Sequence, residues 1–267
     1  MKELSLQEIR EIELELFEKF HSFCVDNDIR YFMTNGTLLG ALRYKGFIPW
    51  DDDIDVLLPR EDYNKLISLF PDSDRCCLVC HEKNHAYRFP FAKLCDMSTL
   101  KIEGGYDNGV ELGVDIDVFP LDAWDNDLLQ AKQEVKRQQR NMFCLALTKV
   151  KKPESRHPVK RMVKGILMAF CKLRGSTYYV EQIMKEANKP EQKGSAYMGI
   201  KSWCIYGERD IVPAEAFADV IQLEFEGKMF YAPVGYDTFM TSLYGDYMPE
   251  PPAEKRKTHH SFKAYRL

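Results

Sequence analysis

The chain has 267 residues, 45% hydrophobic and 12% aromatic, enough for one large domain or a catalytic domain with a helical companion. Its 37 basic and 41 acidic residues leave a net charge of −4, which excludes a general nucleic-acid binder. No run of about twenty apolar residues spans a bilayer, and Met1-Lys2-Glu3-Leu4-Ser5 carries no secretory signal, so a cytoplasmic protein with reduced cysteines is expected.

Ser5 and Glu8 form a capping box, and Ile9, Ile12, Leu16, Phe20 and Phe23 give the 3–4 spaced stripe of a helix over 5–27. Ile29 to Met33 reads as a strand, and a helix is expected over 37–42 after the turn Thr34-Asn35-Gly36-Thr37. A strand, a Gly-Thr turn and a helix start make an anion site: Gly36 permits close backbone approach, and Thr37 caps the helix and donates its hydroxyl. A loop from Arg43 to Pro49 leads through Trp50 into Asp51-Asp52-Asp53-Ile54-Asp55 and a strand over 54–58. In an extended segment Asp51, Asp53 and Asp55 share a face, within about 7 Å of one another, and repel unless a cation sits among them. An oxygen-only set suits Mg²⁺ or Mn²⁺. An EF-hand is excluded, because Val56 stands where its turn needs glycine and Pro59 interrupts the loop.

A helix over 60–70 and strands near 76–80 and 89–95 follow, then a hairpin-like stretch over 99–102 before Gly104-Gly105. A strand over 114–119 closes the sheet. Asp115 and Asp117 share one face of that strand, and a charged pair in an apolar strand is costly to bury without partners. Such a pair needs cations beside it or lies at an open edge of the sheet. Arg43, Lys45, Lys93 and Arg256 are the cations available to phosphate. Cys76, Cys77, Cys80 and His81 offer a zinc set, against which a plain strand is favoured because no second Cys-x-x-Cys completes it.

The expected fold is a mixed α/β (α+β) core over 1–125, followed over 126–267 by a helical, basic region. The window 128–180 holds thirteen Lys or Arg against only Glu134 and Glu154. One helix is expected from Asp125 or Asn126 to about Val150. A second, over 159–173, is basic and amphipathic: it lies on an anionic membrane surface or, as the commoner alternative, packs between domains. After Pro190 the chain is irregular until Phe217. A hairpin turning at Gly227, a helix over 236–243 and a proline-rich tail carrying His259 and His260 complete it.

A Gly-Thr turn followed by Asp-x-Asp resembles the nucleotidyltransferase fold. More specifically, Gly36-Thr37-Leu38-Leu39-Gly40-Ala41, Gly46 to Asp55, Pro59 to Tyr63, Asp117 to Asp122, Phe225-Glu226-Gly227, Tyr244 to Met248, Pro251-Pro252 and Lys255-Arg256 resemble the LicD family of phosphocholine transferases, related to the fukutin group. The resemblance implies CDP-choline as donor, Mg²⁺ or Mn²⁺ on Asp51, Asp53, Asp55 and Asp117, and catalysis by Asp53, Asp55 and Asp117. The acceptor would be a hydroxyl of a teichoic-acid-like or lipid-linked glycan precursor. Gly36, Thr37, Arg43 and Lys93 would meet the donor phosphates, and Trp50, Tyr87, Arg256, His259 and His260 the choline or acceptor. A metal-dependent nucleotide-sugar glycosyltransferase, another nucleotidyltransferase and a non-catalytic polymer-binding module are the alternatives.

Overall fold

The structure, a computed structural model, describes residues 1–103, 107–150, 152–153, 157–189, 194–256, 258 and 262–267. Strand β1 (Lys2–Glu3) precedes helix α1 (Leu6–Asp26), whose capping box closes as expected between Ser5 and Glu8. The buried face of α1, from Ile9 through Ile12, Leu16, Phe17 and Phe20, lies on the sheet, with Phe17 stacked on Phe230 at 3.9 Å. Full burial of each such side chain contributes about 2 kcal/mol.

Next come β2 (Phe32–Met33), α2 (Asn35–Tyr44), β3 (Asp55–Pro59), α3 (Arg60–Leu69) and β4 (Cys76–Val79). Two long strands, β5 (Ala92–Glu103) and β6 (Leu112–Ala123), form the spine. One twelve-residue strand, β5, thus runs through both the segment expected as a strand near 89–95 and the expected hairpin-like stretch. Its register against β6 shifts between Asp96 and Lys101, so a bulge rather than a turn accommodates Ser98 and Thr99. Gly104 and Gly105 lie outside the described residues.

The sheet runs β1-β11-β5-β6-β3-β2, with β11 (Phe262–Arg266) joining after the rest of the chain. Within it β3 and β6 are parallel, and that pairing sets Asp55 directly beside Asp117. Val56, Leu57 and Leu58 are fully buried, as a central strand covered on both faces requires. A bidentate pair between Arg60 and Asp122, both bonds 2.7 Å, pins the start of α3 to the end of β6.

Helices α4 (Leu128–Lys149), α5 (Pro158–Arg174) and α6 (Ser176–Ala187) form an arm with its own small core of Leu145, Leu147, Met168, Cys171, Tyr179, Val180 and Ile183. The sequence reading has α4 and α5 but not α6. Gly175, at φ +83, separates α5 from α6 and lets the chain turn sharply there. Short strands β7 (Tyr197–Gly199) and β8 (Val212–Pro213) continue from the last two residues of β6, Asp122 and Ala123. The expected hairpin is β9 (Val220–Phe225) and β10 (Lys228–Pro233), followed by α7 (Tyr236–Tyr244). All eight cysteines are free thiols. Among the described residues no helix is long and apolar enough to cross a membrane.

Candidate active site

The acidic run is not a strand. Residues 51–54 form a loop, and β3 begins only at Asp55. The alternation expected of an extended segment therefore fails, and Asp52 joins Asp51 and Asp53 in place of Asp55. Their carboxylate oxygens all lie within 4.8 Å of one another.

Four elements hold this loop. From α1, the Arg10 guanidinium donates to the carbonyls of Ile48 (2.9 Å) and Asp51. From the β9–β10 turn, Glu226 accepts the Phe47 N–H at 3.0 Å and donates its own N–H to the Lys45 carbonyl at 2.8 Å. From α2, Gly40 packs so closely that an added Cβ would stand 2.3 Å from the Gly46 oxygen. From the C-terminal tail, Thr258 donates its hydroxyl to Asp52 at 2.9 Å. Gly36 also lies close to the loop: a Cβ there would stand 2.4 Å from Asp51 Oδ2 and displace that carboxylate. The close approach that glycine permits is to a carboxylate of the chain itself.

Thr37 sits inside α2 with Thr34 at the N-cap position, so it does not cap the helix. The helical phase turns its hydroxyl inward, where it accepts the Asp55 N–H at 2.7 Å and fixes the start of β3. Asp55 is buried, and its carboxyl is pushed well above the usual range by that burial and by the charges of Asp53 and Asp117, against a hydrogen bond from Asn35. Asp117 is pushed up to about 6, also by burial, with Lys93 opposing.

Lys93 lies opposite Asp117 in the β5–β6 register and binds both Asp117 and Asp115, the latter at 2.7 Å. Lys101 reaches Asp115 at 3.1 Å. Burial alone would raise the Asp115 carboxyl; Lys101 and Lys93 outweigh it and hold Asp115 below its ordinary value. The anionic strand face is thus half neutralised from β5, while the side toward the loop stays crowded with carboxylates. That remainder, hard oxygen donors with like charges pressed together, fits a divalent cation of the Mg²⁺ or Mn²⁺ kind.

The other residues singled out from the sequence divide. Arg43 is turned to the backbone, donating to the carbonyls of Tyr247 and Pro249 (2.8 Å to the latter), because the 244–250 segment folds over α2. Arg256 bonds Glu250 at 2.7 Å and lies 5.7 Å above the Trp50 ring, so these two meet beside the acidic loop. Tyr87 is fully buried, its hydroxyl without a hydrogen-bond partner among the described residues. His259 and His260 lie outside the described residues. Cys76 and Cys77 face opposite sides of β4, and among the described residues no convergent group of three ligand atoms includes a cysteine.

Other neighbours of the site are a tyrosine pair, one of them from the Tyr244–Met248 block, and Glu13. Tyr206 and Tyr244 share a hydroxyl–hydroxyl contact of 2.7 Å, and burial, with the charges of Asp55 and Asp53 adding, drives the Tyr206 phenol up to about 12. Glu13, on the buried face of α1, has no hydrogen-bond partner among the described residues for either carboxylate oxygen. Burial holds its carboxyl well above the usual range, against the pull of Lys101. The signal for Glu13 is its spacing: it stands four residues after Ile9 and four before Phe17, on the apolar stripe.

Comparison with known proteins accords with this centre. The family described as LicD/FKTN/FKRP, nucleotidyltransferase domain, matches residues 28–158, a span that contains the acidic loop, β3, β5 and β6. The lipopolysaccharide cholinephosphotransferase LicD of Haemophilus influenzae is 31% identical over 275 residues, covering all of both chains. An uncharacterised protein of Rickettsia prowazekii is 38% identical over 61 residues, 23% of each chain. From the acidic loop to the tail that crosses it, this chain belongs to the LicD family.

Proposed function

We propose that this LicD-family enzyme transfers phosphocholine from CDP-choline to a hydroxyl of a glycan precursor of the teichoic-acid or lipopolysaccharide type, releasing CMP. The observation that carries the reading is end-to-end similarity to a lipopolysaccharide cholinephosphotransferase, in a chain whose carboxylates assemble as phosphoryl transfer requires. In such transfer the protein mainly positions groups and neutralises charge.

In this reading Asp51, Asp52, Asp53, Asp55 and Asp117 would hold Mg²⁺ or Mn²⁺, which supplies charge neutralisation at the pyrophosphate. The acceptor oxygen attacks the choline-bearing phosphorus, the anhydride bond to the CMP phosphate breaks, and the acceptor proton passes to the Asp117 carboxylate. Lys93 holds Asp117 in place, and Thr37 and Asn35 do the same for Asp55. A quaternary ammonium is drawn to aromatic faces, and Trp50, Tyr206 and Tyr244 are the rings beside the acidic loop.

The acceptor is proposed to be presented at the inner face of a membrane. Helix α5 exposes Val159, Met162, Val163, Ile166, Leu167, Phe170 and Leu173, and carries Lys160, Arg161, Lys164, Lys172 and Arg174. An apolar groove of about 310 Å³ continues this face onto Phe143 and Leu147 of α4. Apolar side chains rimmed by cations complement an anionic bilayer surface.

The test is CMP release from CDP-choline, with and without glycan acceptor. Acceptor-dependent CMP production that stops in Asp53→Asn supports the reading. UDP release from a nucleotide sugar, with CDP-choline untouched, would replace it with the glycosyltransferase alternative.

A further inference from the structure

A second cluster of ligand atoms lies away from the acidic loop, where the turn after β4 meets α6. His81, His85 and Glu181 each offer one ligand atom within 4.8 Å of the others. His81 is buried, and its Nδ1 lies 2.9 Å from the carbonyl oxygen of Tyr87. A carbonyl only accepts, so that nitrogen carries the proton and Nε2 is left with its lone pair. A ring nitrogen oriented in this way is the arrangement that metal-binding histidines adopt.

Nε2 of His81 stands 3.3 Å from Nδ1 of His85. Two nitrogens bound tetrahedrally to one ion at about 2.0 Å stand about 3.3 Å apart, whereas an N–H···N hydrogen bond closes nearer to about 3.0 Å. The third ligand, Glu181, comes from a different element. Helix α6 is brought there in part by Thr177, whose hydroxyl lies 3.5 Å from the carbonyl of His85.

We propose that His81 Nε2, His85 Nδ1 and the Glu181 carboxylate bind one transition-metal ion of the zinc class, with a fourth position for water. Two imidazoles and a carboxylate suit Zn²⁺ and discriminate against Mg²⁺, the reverse of the oxygen-only loop. This is not the cysteine set weighed from the sequence, which shares only His81 with it. The ion would staple the helical arm to the turn between β4 and β5. Through His81 and the Tyr87 carbonyl it would also steady the segment leading into Lys93.

The test uses the untagged full-length protein, stripped with a chelator and titrated with Co²⁺ in excess Mg²⁺, which occupies oxygen-only sites. The expected result is one equivalent of Co²⁺ giving the intense visible absorption of a four- or five-coordinate nitrogen-containing site, abolished by Zn²⁺. His85→Ala and Glu181→Gln alter exposed side chains and should each weaken binding about tenfold or more, with unchanged circular dichroism. Zn²⁺ should raise the melting temperature of the wild type and not of His85→Ala. Absence of such a band in the wild type, or a band that persists at full affinity in both variants, would overturn the assignment. Neither result bears on CMP release from CDP-choline, which tests the transferase reading separately.

Discussion

On the sheet, charge is enclosed: Asp115, Asp117, Lys93 and Lys101 answer one another across β5 and β6, and Arg60 is locked to Asp122. On the helical arm the opposite holds. There α5 leaves seven large apolar side chains in solvent, with its cations beside them. Burying charge is costly and is sustained where it fixes geometry, whereas exposing an apolar helix face is costly unless something covers it. In the proposed reading, the contrast would separate where the chemistry is built from where the molecule attaches.

The sharpest way to break the contrast is at the carboxylates. Asp55→Asn should lower the transfer rate about a thousandfold. Its melting temperature should be unchanged or higher, because like-charge crowding is relieved; a large loss of stability would mean that Asp55 is structural. Lys93→Met should act on stability as well as on the transfer rate. It removes the cation shared by Asp115 and Asp117 and should cost about 3 kcal/mol in urea denaturation.

Lys149, at the end of α4, tests the seam between the two regions. It is buried, 3.1 Å above the Phe89 ring, and burial drops its ammonium to about 7, with Glu103 opposing. The unfolded value lies near 10.5. Below pH 7 both states are charged, so stability is lowest there. Between about 7 and 10.5 the unfolded chain binds more protons, so stability should rise with pH and then level off. Lys149→Met should abolish that rise and stabilise the protein by about 2 kcal/mol near pH 6. A flat wild-type profile over this window would show that the lysine reaches water.

The smallest effect concerns the arm alone. Ile166→Glu with Phe170→Glu should weaken sedimentation with anionic vesicles about tenfold. Melting temperature and CMP release with a soluble acceptor should not change. Equal binding by wild type and variant would mean that α5 is covered by something other than a bilayer.

Local chemistry was legible: the capping box of α1, the apolar strands β3 and β6 and the Gly227 hairpin could all be read from neighbouring residues, whereas the meeting of Asp55 with Asp117 was implied only by the family resemblance. What escaped depends on partners distant in the chain. Arg43 looks like a phosphate ligand until the carbonyls of 247 and 249 come over it. Asp52 looks idle until the loop abandons strand geometry and Thr258 arrives. The helix α6 went unread because the basic composition of 128–180 hid the break at Gly175.

Strand β11 adds a temporal consequence. It lies between β1 and β5, so the first residues of the chain have no ladder to join until residues 262–266 exist. Thr258, just upstream, is equally late to reach Asp52. A ribosome-bound nascent chain therefore emerges with an unfinished sheet and an acidic loop lacking one of its clasps, and the proposed catalytic centre would be complete only when synthesis has passed β11.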